Sequence, residues 1–205
     1  MDTKKLHYFS GIILSIFISL HLFNHFYSVF GILHHIHLMN ALRMVYRNAF
    51  IESILLLALF VQIISGFRLL KKRKKINLSG FKKLQIWTGI YLSIFLIIHL
   101  LAVFVGRYYL HLDTNIYFGV AGLNVFPFNL FFIPYYSLAI ISVFGHVASI
   151  HQSKAERSFI GLNPNRQAII IVCFGIIFTG VILFGLTNHF HGLKIPKEYN
   201  VLIMK

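Results

Sequence analysis

Residues 85–100 read QIWTGIYLSIFLIIHL, and this stretch decides the fold class of the whole chain. It contains no Asp, Glu, Lys or Arg and continues as apolar sequence to Val105. A helix of about 20 such residues spans the hydrocarbon core of a bilayer. His99 lies deep inside the run, and an ionisable side chain at membrane depth is by default a candidate functional site. The stretch therefore predicts a transmembrane helix that carries a functional histidine.

A second stretch of the chain repeats the first. Residues 11–22 and 89–100 are identical at eight of twelve positions, and in both a histidine follows the first glycine by ten residues. That spacing corresponds to roughly 15 Å along a helix. Two such helices running the same way would hold His21 and His99 at the same height, where two neutral imidazoles suit the iron of a haem. The repeat therefore predicts that these two histidines are axial haem ligands.

The composition is that of a membrane protein. Of the 205 residues, 58% are hydrophobic and 12% are charged, whereas soluble domains carry about 25% charged residues. Five apolar runs are long enough to cross a bilayer, at about residues 8–30, 49–70, 84–105, 130–150 and 168–186. In lipid only helices and closed barrels satisfy the backbone, and these runs are too long for barrel strands. We expect an all-α membrane protein, a single domain over residues 1–205 whose five transmembrane helices form a haem-binding bundle.

The charge distribution predicts the topology. Nineteen basic and five acidic residues give a formal net charge of +14. In a multi-span protein this excess reports topology and contact with anionic lipid rather than nucleic acid. Thirteen basic residues fall on the side of the N-terminus and six on the other. We expect a multi-pass protein of the cytoplasmic (inner) membrane with a cytoplasmic N-terminus, the lipid bilayer as a partner and no nucleic acid. The basic run from Lys71 to Lys75 either anchors this topology or docks an acidic partner.

Polar side chains inside the spans are predicted at two depths. His21 and His99 lie roughly 20 Å from the inner surface, in the outer half of their spans. Gln62 and His146 lie in the inner half of the second and fourth spans, which run the other way. Side chains projecting from facing helices commonly hold a cofactor in a bundle. His25 follows His21 by one turn, as an alternative ligand, a partner for a haem propionate or a polar residue near the interface.

The outer segment 107–127 carries a candidate quinone or proton site. Its groups able to donate or accept hydrogen bonds and protons are Arg107, Tyr109, His111 and Asp113. An interfacial cleft with an apolar wall and a few polar groups suits a quinone head. The alternative is a lid at the interface, where tyrosines are common.

The outer segment 31–48 contains three histidines close together, His34, His35 and His37. Such a cluster would bind a metal ion if other ligands joined it. The chain has one cysteine, Cys173, which excludes a cysteine zinc site. The cluster therefore leaves open the alternative that the protein is a histidine-based metal-handling membrane protein.

With these features the chain resembles the cytochrome b membrane anchors of the succinate dehydrogenase and fumarate reductase family, as a divergent member. The resemblance covers about residues 5–186, with five spans, a cytoplasmic N-terminus and histidines in the first, third and fourth spans. Its most specific part is a glutamine, tryptophan, threonine and glycine followed ten residues later by histidine: Gln85, Trp87, Thr88, Gly89 and His99. Gly11 with His21 matches the first-span pattern, and His146 matches the fourth-span histidine.

The resemblance implies a set of haem ligands. In the two-haem anchors of the family, the first and third spans ligate the outer haem, and the second and fourth spans ligate the inner one. This implies His21 and His99 for an outer haem b and His146 as a ligand of a second haem. The second-span ligand would precede a glycine by four residues, and here that position is Gln62, before Gly66. Glutamine is not a usual haem ligand, so we expect one haem b, and two only if His146 finds another partner.

The implied function is electron transfer to or from membrane quinone by the cytochrome b anchor of a succinate:quinone or quinol:fumarate oxidoreductase. Flavoprotein and iron–sulfur partner subunits on the cytoplasmic face would perform the dicarboxylate chemistry, because this chain carries no complete dicarboxylate site. Two alternatives stay open. One is a haem-free membrane anchor or assembly subunit whose histidines hydrogen-bond across helices. The other is the histidine-based metal-handling protein.

Overall fold

The computed structural model describes residues 2–72 and 78–204, and these residues form helices without a β-strand. The all-α class is therefore confirmed. The chain divides into two units, residues 1–77 and 78–205. Of the basic run that ends at Lys75, residues 73–75 lie outside the described residues.

The first unit consists of three helices. They are α1 (Thr3–Tyr27), α2 (Ile32–Tyr46) and α3 (Ala49–Lys71). The side chains of Asp2 and Asn48 cap the N-termini of α1 and α3 by accepting from backbone N–H groups two residues on. A 3₁₀ turn and Gly31, with φ of +120°, end the first span and start α2. α1 packs along α3, and α2 folds back onto the end of α1.

The second unit contains the other three long helices. They are α4 (Gly80–Phe104), α6 (Asn129–Lys154) and α7 (Pro164–Leu186), with the short α5 (Ile116–Val120) between α4 and α6. α4 continues for one turn as a π-helix, Val105–Tyr109, and a 3₁₀ helix, Lys197–Ile203, ends the unit. α6 packs against both α4 and α7, so it forms the centre of this unit.

Five helical stretches of the described chain are long and apolar enough to cross a membrane, which confirms the predicted number of spans. Three begin four or five residues before the predicted starts, at Thr3, Gly80 and Pro164. Hydropathy marks only the part of a helix in hydrocarbon, whereas caps such as Asp2 and Asn163 start the helix in the polar region. The predicted starts of these three helices therefore lie too far toward the C-terminus.

The segment after α4 and the C-terminal segment build a cap on the second unit. Ile116 and Val120 of α5 are buried, as is Tyr199 of the C-terminal 3₁₀ helix. The Tyr199 hydroxyl donates to the Asp113 carbonyl at 3.0 Å. Asn124 accepts from the Leu193 backbone at 2.9 Å and donates to the Leu186 carbonyl at 3.1 Å. The outer segment and the C-terminal segment thus form one folded cap.

Candidate functional site

His21 and His99 have matching surroundings in the two units. His21 stacks on Phe17, one turn earlier in α1, with ring centroids 5.8 Å apart and ring planes inclined by 18°. His99 stacks on Phe95, one turn earlier in α4, at 5.4 Å and 13°. Phe17 and Phe95 occupy the same position of the sequence repeat. Each unit therefore holds the repeated histidine in one ring orientation by the same contact.

A tyrosine from another helix supports each phenylalanine. In the first unit Tyr46 of α2 packs edge-on against Phe17, with centroids 5.5 Å apart. In the second unit Tyr135 of α6 packs on Phe95 at 4.9 Å. Tyr91 fixes this part of α6 because its hydroxyl donates to the Tyr135 carbonyl at 2.8 Å. The stacking partners of both histidines are thus held by tertiary contacts as well as by their own helix.

The side-chain amide of Gln62 contacts residues of α1 within the first unit. A Cβ on Gly11 would lie 3.4 Å from Gln62 Nε2, so the missing side chain leaves room for the amide. The Ser10 hydroxyl donates to Gln62 Oε1 at 2.6 Å, and Gln62 Nε2 donates to His7 Nε2 at 3.3 Å. His7 Nδ1 in turn donates to the Ser65 hydroxyl at 2.9 Å. Gln62 therefore belongs to a hydrogen-bonded polar cluster with both ends of its amide engaged.

His146 occupies the equivalent place in the second unit. A Cβ on Gly89 would lie 3.3 Å from His146 Cε1. His146 Nδ1 lies 3.2 Å from the Gln85 carbonyl and 3.2 Å from the Thr88 hydroxyl. A carbonyl only accepts, so Nδ1 carries the proton and Nε2 carries the lone pair. Metal-binding histidines have the same tautomer when their other ring nitrogen donates to a backbone carbonyl.

These contacts place the polar residue of each unit level with a glycine of the neighbouring helix. Gln62 packs at Gly11, ten residues before His21, and His146 packs at Gly89, ten residues before His99. His7 is the residue of this arrangement that the sequence did not reveal. It lies before the apolar run at 8–30, and only the position of α3 gives it polar partners.

His21 also begins a chain of polar side chains toward α2. His21 Nε2 and His25 Nε2 are 3.1 Å apart, and the rings of His25 and His35 stack at 5.5 Å. Asn24 Nδ2 lies 3.2 Å from His35 Nε2. Among the described residues, Asn24 Oδ1 and His35 Nδ1 are buried without a hydrogen-bond partner. These polar side chains therefore connect His21 to two buried polar atoms at the end of the span.

The three histidines of α2 do not share a site. His35 is 1% exposed and faces Asn24, whereas His34 and His37 are exposed. In the described part of the chain, no group of three or more His, Cys, Asp or Glu side chains is placed to hold a metal ion. A protein zinc site needs three or four such ligands, whereas a haem iron needs two axial ligands.

The burial of His35 predicts a pH dependence of stability. Burial, and after it repulsion by Arg43 and by His21 whenever His21 is protonated, lowers the pKa of His35 from 6.5 to about 4. The unfolded chain binds this proton near pH 6.5 and the folded chain only near pH 4. The stability from neutral His35 is therefore complete above pH 6.5 and is lost as the pH falls toward 4, at up to about 1.4 kcal/mol per pH unit.

This prediction is checked by melting temperatures of the purified protein in detergent between pH 7 and pH 4. His35→Gln keeps a hydrogen-bonding side chain but does not titrate. We therefore expect its melting temperature to fall less steeply with decreasing pH than that of the wild type. His37→Gln, at an exposed position of the same helix, should keep the wild-type slope. Equal slopes of melting temperature against pH for the wild type and His35→Gln would contradict the lowered pKa of His35.

The four groups proposed for the quinone or proton site lie on the π-helical turn and the cap. Arg107 places its guanidinium 5.7 Å from the Tyr108 ring centre, and Tyr109 is 79% exposed. His111 is exposed and has a φ of +53°. Asp113 Oδ2 accepts from Asn115 Nδ2 at 3.1 Å. π-helical turns are frequent at functional sites, and non-glycine residues with left-handed backbone cluster there too, so the segment stays a candidate.

The structure thus places the predicted ligands as two repeated pairs, one pair in each unit. His21 and Gln62 belong to the first unit, and His99 and His146 belong to the second. Each pair has a histidine stacked on phenylalanine and a polar residue seated on glycine ten residues earlier. No protein-family model, curated protein or solved structure matches this chain. The function is therefore inferred from these residues alone.

Proposed function

We propose that the protein is an integral membrane cytochrome b, with His21 and His99 as the axial ligands of a haem b. The observation that carries this proposal is the repeated stack of phenylalanine and histidine in the two units. A histidine that only filled space would not need the same spacing from glycine and the same ring contact in both copies.

The side chains present suit a haem iron. Iron is ligated by neutral imidazole, and an apolar span keeps histidine neutral because it disfavours the charged form. Stacking on Phe17 and Phe95 holds the rings, so little ring rotation would be lost on ligation. When bound, the haem would supply one-electron exchange with quinone. The chain would supply ligands, an apolar environment and exclusion of water.

Haem ligation would change the hydrogen bond between His21 and His25. That bond uses Nε2 of both rings, and ligation through the same nitrogen of His21 would break it. His25 Nε2 would then exchange His21 for another partner, such as a haem propionate. This exchange would follow because a ring nitrogen that binds iron has neither a proton to donate nor a lone pair to share.

We propose one haem per chain. The amide of Gln62 is engaged by Ser10 and His7, and glutamine is not a usual haem ligand. His146 has the tautomer of a ligand, but its counterpart in the first unit is this glutamine. Dicarboxylate chemistry would then belong to flavoprotein and iron–sulfur partner subunits, and this chain would connect them to the quinone pool.

The test is a pyridine haemochrome assay with a reduced-minus-oxidised spectrum of the purified protein. We expect one haem b per polypeptide and a low-spin spectrum. Two haems per chain would refute the role given to Gln62 and require another partner for His146. Protein that binds no haem, purified from cells supplied with haem, would favour the haem-free anchor, whose histidines hydrogen-bond as they do in the polar clusters of each unit.

A separate prediction concerns the quinone. We expect His111→Ala or Asp113→Asn to slow haem reduction by a soluble quinol about tenfold or more, because removal of a positioned proton-transfer group typically costs at least that. Both variants should keep the haem spectrum. Stopped-flow absorbance measures the rate.

The control for this prediction is His191→Ala, which removes an exposed histidine from the C-terminal segment of the same unit. It should leave the reduction rate unchanged. If His111→Ala and Asp113→Asn also leave the rate unchanged, the quinone site lies elsewhere, on the side of His146.

A further inference from the structure

The junction between α6 and α7 contains a cavity that the proposed haem function does not use. The cavity is open to the surface and measures about 480 Å³. Its lining residues are His151, Lys154, Ala155, Glu156, Arg157 and Gln167. Because α6 and α7 are both candidate membrane spans, their junction lies at the membrane surface. The basic residues predict that this surface is the cytoplasmic one.

The half-buried side chain of Gln167 shapes the cavity. Its Oε1 accepts from His151 Nε2 at 2.7 Å. Its Nε2 donates to the Leu162 carbonyl at 2.7 Å and the Arg157 carbonyl at 3.3 Å. The amide thus ties the last turn of α6 and two points of the loop to the first turn of α7. The loop is held in a defined shape around the cavity.

The cavity is basic. Lys154 and Arg157 line it and are exposed, and Arg166 follows in the first turn of α7. Glu156 is the one carboxylate among the lining residues. The N-terminal end of the 23-residue helix α7 adds a partial positive charge. The cavity therefore favours an anion.

The tip of the loop is apolar. Phe159 and Leu162 exchange two backbone hydrogen bonds of 3.0 Å, which close a turn over Ile160 and Gly161. Ile160 has a φ of +50°, which a β-branched residue rarely adopts. Phe159 is 68% exposed and Ile160 is 82% exposed. The turn thus presents two large apolar side chains beside the basic cavity.

We propose that this junction binds the phosphate headgroup of an anionic phospholipid. Lys154 and Arg157 would contact the phosphate, and Phe159 and Ile160 would insert among the apolar parts of the same leaflet. Free phosphate has the same charge chemistry, but it would give the apolar tip no role. The site is independent of the haem and of its ligands.

The test is native mass spectrometry of the full-length protein, delipidated in detergent and titrated with phosphatidylglycerol or phosphatidylcholine. We expect phosphatidylglycerol to bind more tightly. Each basic residue near a membrane surface contributes about fivefold in affinity. Arg157→Gln should therefore weaken phosphatidylglycerol binding about fivefold, and the double variant with Lys154→Gln roughly 25-fold. Lys83→Gln, an equal charge change on the same predicted side, should leave the affinity within about twofold.

Ile160→Asn separates lipid from free phosphate. Asparagine tolerates left-handed backbone, so the turn and its melting temperature should be kept while the lipid affinity falls. The proposal is overturned if both lipids bind equally or if Lys83→Gln weakens binding as much as Arg157→Gln. It is also overturned if inorganic phosphate displaces the lipid at equal concentration and Ile160→Asn has no effect, since the site would then serve free phosphate.

Discussion

Replacing His99 by alanine is expected to abolish the low-spin haem spectrum completely. The reason is that a bis-histidine iron that loses one axial ligand loses its low-spin state and most of its hold on the protein. His99 is fixed by the stack on Phe95, and no other histidine lies within ten residues of it in α4. The measurement is the reduced-minus-oxidised spectrum and the haem content of the purified variant.

His21→Ala should have the same effect, with one difference. His25 lies one turn away, and its Nε2 is 3.1 Å from that of His21, so it is the nearest histidine able to replace the ligand. The double variant His21→Ala with His25→Ala removes this substitute. Loss of haem in the double variant only would show that His25 can replace His21 as the ligand of the first unit.

The controls for these variants remove exposed histidines from the same units. His37→Ala lies in the first unit and His111→Ala in the second. Both should retain haem and its spectrum. If His21→Ala and His99→Ala also kept a full complement of bis-histidine haem, the proposed ligation would be wrong.

The second large effect is expected at the packing of α6 against α7. A Cβ on Gly175 would overlap Phe144, lying 2.6 Å from its Cγ. Phe144 cannot easily move, because its ring packs edge-on against Phe174 and Phe178 at 5.5 Å and 5.6 Å. Gly175→Ala is therefore expected to lower the free energy of unfolding by about 1–3 kcal/mol. The melting temperature in detergent should fall by roughly 3–10 °C.

The matched control lies five residues later in the same helix. A Cβ on Gly180 meets no atom within 4 Å among the described residues. Gly180→Ala should leave the melting temperature unchanged or raise it, since alanine favours a helix over glycine by up to about 1 kcal/mol. Equal changes for the two variants would show that α6 and α7 do not pack through Gly175.

The apolar runs were sufficient to predict the helical class and the number of spans. A run such as 85–105 has no conformation in lipid other than a helix, because each backbone group must find its partner within the segment. The repeat of residues 11–22 in residues 89–100 also predicts equal depths for His21 and His99, since helical rise depends only on residue number, and this stays a prediction. The polarity of Gln62 and His146 within apolar runs marked them as special before any fold was known.

The partners of these side chains depended on contacts between segments far apart in the chain. That Gln62 is engaged by Ser10 and His7, and that His146 is oriented by the Gln85 carbonyl, required α3 to pack on α1 and α6 on α4. Likewise, α2 turns back so that His35 is buried against Asn24 while His34 and His37 stay exposed. Hydropathy specifies which segments enter the membrane, because that transfer depends on composition. Which polar atoms meet depends on helix rotation and packing, and those are set by side chains from several segments at once.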